Sequence, residues 1–119
     1  MTSDQARSLA MARVVAERDR QRTEEGWTSA HDDQHVGGEL AMAAACYAAP
    51  EPIFRKETFD GGETFTDPWP WDRRWDGRES KSEERKLVIA GALILAELER
   101  FYRRRRVATP NEVKEAEGK

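Results

Sequence analysis

The stretch Glu83-Glu84-Arg85-Lys86-Leu87-Val88-Ile89-Ala90-Gly91-Ala92-Leu93-Ile94-Leu95-Ala96-Glu97-Leu98-Glu99-Arg100-Phe101-Tyr102-Arg103-Arg104 decides the fold of this chain. Leu87, Ala90, Gly91, Ile94, Leu98, Phe101 and Tyr102 return at the intervals that gather side chains along one side of an α-helix. Ser80-Lys81-Ser82-Glu83 precedes them with the form of a capping box, so the pattern predicts a helix over about 83–104. Val88, Ile89, Leu93 and Leu95 widen the apolar surface beyond one stripe. Such a helix is expected at the centre of a bundle or covered on its second side by another copy of the chain.

Working outward, Gly38 to Ala49 has high helix propensity and stops before Pro50. Its alanines allow close approach, and the small residues Ala90, Gly91 and Ala92 of the later helix are the expected matching surface. A first helix is predicted over 4–25, where Leu9, Ala12, Val15 and Ala16 recur at helical spacing, with Ser3 or Asp4 as N-cap and Gly26 as the stop. Residues 26–34 read as a loop. The connection between the second and third helices is too long to be structureless in a compact domain. Lys56-Glu57-Thr58-Phe59 and Glu63-Thr64-Phe65-Thr66 flank Asp60-Gly61-Gly62, which predicts a β-hairpin at about 53–67. Ile53, Phe54, Phe59 or Phe65 is expected to seat it on the helices, because an isolated hairpin is marginally stable. The fold class is therefore mainly α: three principal helices with a small β-hairpin insertion between helices two and three. Residues 1–106 form one domain, followed by a C-terminal tail at 107–119.

A chain of 119 residues fits one core without disulfides or a structural metal. With 38% apolar and 36% charged residues that core is thin, which favours a homo-oligomer built through helix three. A net charge of −3 argues against general nucleic-acid binding. Cys46 is the one cysteine, fitting a reducing compartment and a buried thiol. The N-terminal residues lack signal-peptide character and the longest apolar run, Leu87 to Leu98, is too short to span a bilayer. A cytoplasmic protein with no membrane partner is expected.

Two clusters carry the chemistry. Glu25-Gly26-Trp27-Thr28-Ser29-Ala30-His31-Asp32-Asp33-Gln34-His35 packs an indole, two imidazoles and three carboxylates between helices. His31, Asp32, Asp33, His35 and Glu39 carry donor types that suit a divalent metal, and His31 or His35 beside a carboxylate suits general-base chemistry. The alternative is structural: Asp32 or Asp33 caps helix two and an imidazole bonds a backbone carbonyl. Only two histidines exist and no complete zinc signature accompanies them.

The second cluster is Trp69-Pro70-Trp71-Asp72-Arg73-Arg74-Trp75. At least two of its indoles are expected to plug the gap between hairpin and bundle, while Trp27 or Trp75 stays free to stack on a flat ring. Arg73, Arg74 and Arg78 are placed to grip phosphates or to form a solvated loop face. The run Arg103 to Arg106 complements the end of the helix dipole.

Glu17-Arg18 with Gln21, Glu25-Gly26-Trp27-Thr28, His31-Asp32-Asp33, Gly38-Glu39-Leu40-Ala41, Trp69-Pro70-Trp71-Asp72 and Leu87-Val88 with Ala90 to Glu97 together resemble short uncharacterised proteins carried by phages and prophages, over residues 13–102. Glu-Gly-Trp-Thr followed by paired aspartates, a histidine and a tyrosine is also similar to the ryanodine receptor repeat domain, a small helical module with proposed nucleotide-ligand binding. The present chain departs from that repeat in spacing and in its long hairpin insertion. These resemblances imply a phage protein acting in the host cytoplasm. The expected function is non-catalytic sequestration of a small nucleotide-type ligand, such as a bacterial immune signalling nucleotide, with Trp27, His31, Asp32, His35, Trp71, Arg73, Arg74 and Trp75 as contacts and no cofactor. Two other functions stay open. One is a metal-dependent hydrolase of a nucleotide, built on His31, Asp32, Asp33, His35 and Glu39. The other is a protein–protein adaptor or inhibitor of a host factor, docking through helix three.

Overall fold

A computed structural model describes residues 1–105; the tail expected at 107–119, with residue 106, lies outside the described residues. The chain is mainly helical with a small two-stranded antiparallel sheet. In order, it forms α1 (Ser3–Thr23), α2 (Ser29–Asp32), α3 (Glu39–Ala48), β1 (Arg55–Phe59), β2 (Gly62–Thr66), 3-10 turns at Arg73–Trp75 and Arg78–Ser80, and α4 (Glu83–Arg104). Among the described residues no helix is long and apolar enough to cross a membrane.

The core is the seam between α3 and α4. Leu40, Ala43, Ala44 and Tyr47 of α3 meet Ile89, Ala90, Leu93 and Ala96 of α4, and Trp69 from the following loop closes one end. Alanines on both helices let the two backbones approach, as expected for small-residue faces. Gly91 is the exception, because it faces α1: a Cβ built there lies 2.8 Å from Val14 Cγ2. Cys46 is buried and free.

α1 docks in a way the apolar periodicity does not suggest. Its buried residues are Glu17, Arg18 and Gln21, whereas Leu9, Ala12, Val15 and Ala16 are exposed. The wide apolar surface of α4 is partly consumed by α3, and what fastens α1 is charge. Glu17 pairs with Arg85 of α4, and Arg18 Nη2 meets Asp32 Oδ2 at 2.6 Å and Glu99 Oε2 at 3.0 Å.

Several local expectations are corrected. Thr2, not Ser3 or Asp4, caps α1, in a reciprocal box with Gln5. Ser82, not Ser80, caps α4, accepting from the Arg85 N–H. Residues 26–34 hold the short α2, capped by Thr28. Gly38 with φ +82° is the N-cap residue of α3, so neither Asp32 nor Asp33 caps it.

β1 and β2 pair as a hairpin, with Phe59 opposite Gly62 and Arg55 opposite Thr66 around a turn at Asp60-Gly61. Gly61 takes the positive φ that the turn requires. The hairpin is not seated by its aromatics, however. Phe54, Phe59 and Phe65 are all more than 60% exposed, and only Ile53 packs against the core. Cross-strand contacts hold it instead: Lys56 pairs with Glu63 and the Phe59 ring lies over Gly62.

Candidate functional site

The loop after α1 and the loop after β2 meet over the side of α1. Gly26 takes φ +73°, which turns the chain so that the Trp27 N–H donates back to the Gln21 carbonyl at 2.9 Å. α2 then sets His31 on the same side as Trp27, with the two rings parallel and 5.8 Å apart between centroids. His35 follows, edge-on to His31 at 4.9 Å.

From the other direction, Pro68 and Trp69 are buried and anchor the second loop. Trp69 stacks edge-on with Tyr47 and donates its indole N–H to the Asp72 carbonyl at 3.2 Å. The anchor presents Trp71 to the first loop, 6.2 Å from Trp27 and 5.3 Å from His35.

Between these walls lies an open cavity of about 740 Å³, within the range of small-molecule sites. Its rim and floor include Trp27, His31, His35, Trp71, Arg74 and Trp75, six of the eight contacts read from the sequence. Asp32 and Arg73 are not among them. Asp32 is fully buried behind the wall, where Oδ2 binds Arg18 and Oδ1 lies 3.1 Å from His31 Nδ1. A carboxylate paired with a guanidinium only accepts, so His31 Nδ1 is the donor in this contact, which fixes the ring with Nε2 on its other side. Asp32 thus positions His31 rather than touching a ligand.

Arg73 is turned away because its Nη1 binds Asp67 Oδ2 at 2.7 Å. Arg78 is likewise taken up by Asp76 and Asp67, and its guanidinium lies over the Trp69 ring at 5.2 Å. The hydrogen bond from Arg73, ahead of an opposing desolvation and aided by Arg78, holds the Asp67 carboxyl down at about 2. These ion pairs build the loop; they do not offer free phosphate grips.

The metal alternative does not assemble. Asp32 is committed to Arg18, Asp33 to Arg103 across the loop, and Glu39 to the Gly37 N–H at 3.0 Å. Among the described residues no group of three or more His, Cys, Asp or Glu side chains could hold a metal ion.

Other cavity residues were not singled out as contacts by sequence reasoning: Glu17, Arg20, Gln21, Glu25, Tyr47, Trp69, Asp72 and Lys81 among them. Glu17 and Gln21 lie one helical turn apart, a spacing that polar residues on a solvated helix face share, so nothing in the sequence singles them out. Burial is the largest influence on Glu17 and raises its pKa, but the hydrogen bonds and charges of Arg20 and Arg85 together outweigh it and hold the carboxyl below its ordinary value. Burial and the neighbouring His31 push His35 below the usual imidazole value, despite the acids nearby.

The resulting electrostatics are uneven. The cavity carboxylates Glu17 and Glu25 are both bound by Arg20. By contrast, Lys81 Nζ has only the Gly77 carbonyl at 3.4 Å, and Arg74 approaches Asp72 no closer than 4.0 Å. Arg74 and Lys81 are thus less neutralised than Arg20, and Asp72, which accepts from the Arg74 backbone N–H, likewise has no close cation.

The chain matches no family model, no curated protein and no solved structure.

Proposed function

We propose that this cavity captures a small heteroaromatic anion of the nucleotide type and holds it without transforming it. The observation that carries the reading is the pairing of an indole and imidazole wall, Trp27, His31, His35 and Trp71, with the weakly neutralised cations Arg74 and Lys81 in the lining of the same cavity. A flat ring stacked on such a wall gains about 1–3 kcal/mol per base, and an anionic substituent is drawn to the cations. In the phage setting implied by the family resemblance, the ligand is a signalling nucleotide of bacterial defence and the effect is sequestration.

The test is titration of the whole protein with mononucleotides and cyclic dinucleotides, followed by tryptophan fluorescence and native mass measurement. Stacking on Trp27 or Trp71 quenches emission, and a ligand recovered intact after heat denaturation supports capture. Product formation supports the alternative in which the Asp32-oriented His31 acts as a general base, the reading favoured by the free Nε2. Absence of any complex with every nucleotide overturns capture.

We further infer that the outer face of α4 receives a second copy of the chain. Leu87, Ile94, Leu98 and Phe101 are large apolar side chains left exposed on α4, while Gly91 between them is covered by Val14 of α1. Leu98→Glu is expected to convert a dimeric species to monomer in light scattering. A wild-type protein that is monomeric at high micromolar concentration removes this inference and favours a host-protein adaptor on the same face.

A further inference from the structure

Two polar atoms of the cavity residues have no protein partner: Gln21 Oε1 and Trp71 Nε1. Gln21 is 1% exposed, so its unmet acceptor is fully inside the protein. Buried polar atoms are ordinarily satisfied, and each one left over asks for an explanation.

The orientation of the Gln21 amide is not arbitrary. Its Nε2 donates to Glu17 Oε2 at 3.2 Å, and Glu17 also accepts from Arg20 and Arg85. Flipping the amide would set its oxygen against a carboxylate, so Oε1 stays on the far side as an acceptor. Trp71 Nε1 is a donor in any protonation state. The contrast with Trp69 is informative: that indole, in the same loop, finds the Asp72 carbonyl.

Both residues line the cavity together with Trp27, and the Trp71 ring lies 6.2 Å from the Trp27 ring. The residues around this one space thus supply aromatic rings, one unmet acceptor and one unmet donor. Resting on the capture reading above, we propose that Gln21 and Trp71 read the edge of a heteroaromatic base, with Gln21 Oε1 accepting a base N–H and Trp71 Nε1 donating to an adjacent ring nitrogen or carbonyl. The chemistry required is an edge that carries a donor next to an acceptor, as nucleobases do and a bare sugar phosphate does not. A site built to hydrogen-bond rejects an analogue that lacks the matching group more strongly than an apolar pocket rejects a misfit.

The full chain is titrated with AMP, GMP, CMP and UMP, with the counterpart of the tightest binder methylated at its edge nitrogen, and with ribose 5-phosphate. The methylated counterpart is expected to bind at least about tenfold more weakly than its parent. Gln21→Leu and Trp71→Phe are expected to abolish that discrimination while retaining residual binding. The wild-type comparison stands even if a variant fails to fold. Equal binding of parent and methylated base, or equal binding of ribose 5-phosphate, overturns edge reading and leaves anion capture intact. Failure of these ligands and of the cyclic dinucleotides to bind overturns both.

Discussion

Replacing Asp32 by Ala tests whether charge fastens α1 and shapes the cavity wall. The Asp32 side chain is fully buried and the Arg18 side chain is 3% exposed, with their nitrogen and oxygen 2.6 Å apart. Removing one member of a buried pair costs about 3–5 kcal/mol, because the other charge stays behind without its partner. Arg18 keeps Glu99 at 3.0 Å and the Trp27 carbonyl at 3.2 Å, and Glu99 is partly exposed, so the loss is expected at the low end, about 3 kcal/mol. In urea, with a slope of about 1.5 kcal/mol per molar for a chain of this size, the unfolding midpoint falls by about 2 M. The double variant Arg18→Met with Asp32→Leu should recover much of the loss, since an apolar pair of similar volume often replaces a buried ion pair without penalty. Tryptophan emission reports both unfolding and the release of His31 from its Nδ1 contact. A midpoint for Asp32→Ala within about 0.5 M of wild type would refute the claim that this pair holds the first loop to α1.

Other perturbations check separate parts of the structure. Gly91→Val places a side chain against Val14, and overpacking of about 1–3 kcal/mol outweighs the small gain in helix propensity, so thermal stability should fall. His35, held low by burial and by His31, stays neutral in the fold while the unfolded chain protonates; stability is fully present above pH 6.5 and declines as pH falls through the folded value. His35→Gln should flatten that part of the pH–stability curve. Asp67, held at about 2 against 3.8 unfolded, contributes stability above pH 3.8 that is lost as pH falls to about 2. Discounted for solvent screening at the rim, this is about 1 kcal/mol, and Asp67→Asn should remove it. Replacing the exposed hairpin 55–66 with a short Gly-Ser link should move the melting temperature by only a few degrees, as seen by circular dichroism.

How far the sequence could be read follows from which forces act where. α3 was legible from its helix propensity and its stop before Pro50, and α4 from its apolar period, but the stripe that period marked is not the buried one: Leu87, Ile94, Leu98, Phe101 and Tyr102 are exposed, while Ile89, Ala92, Leu93 and Ala96 are buried with Ala90. The hairpin was legible from Asp60-Gly61-Gly62, since a tight turn needs the φ that Gly61 adopts. The docking of α1 was not, because its buried face is Glu17, Arg18 and Gln21, and charged residues at helical spacing look the same whether they face water or an ion-pair partner distant in sequence. The same limit explains the candidate site. Aromatic clustering marked Trp27, Trp71 and Trp75, but the partners that withdraw Asp32 and Arg73 from the cavity, Arg18 and Asp67, are fixed only by the fold.

The polar docking of α1 and the construction of the cavity are one arrangement. Glu17 and Gln21 form part of the cavity lining, while Arg18, between them on the helix, reaches to the Trp27 carbonyl and to Asp32 behind His31. An apolar α1 face would have sealed this space, since alanine and leucine side chains pack against α4 without leaving acceptors behind. A polar face costs stability, because Gln21 Oε1 is left unmatched, and Trp71 Nε1 in the loop after β2 adds a second orphan, at about 1–3 kcal/mol for each. A ligand that satisfies both atoms returns that energy on binding, so the unliganded protein should be the less stable state, and saturating ligand at a hundredfold excess over Kd adds about 2.7 kcal/mol.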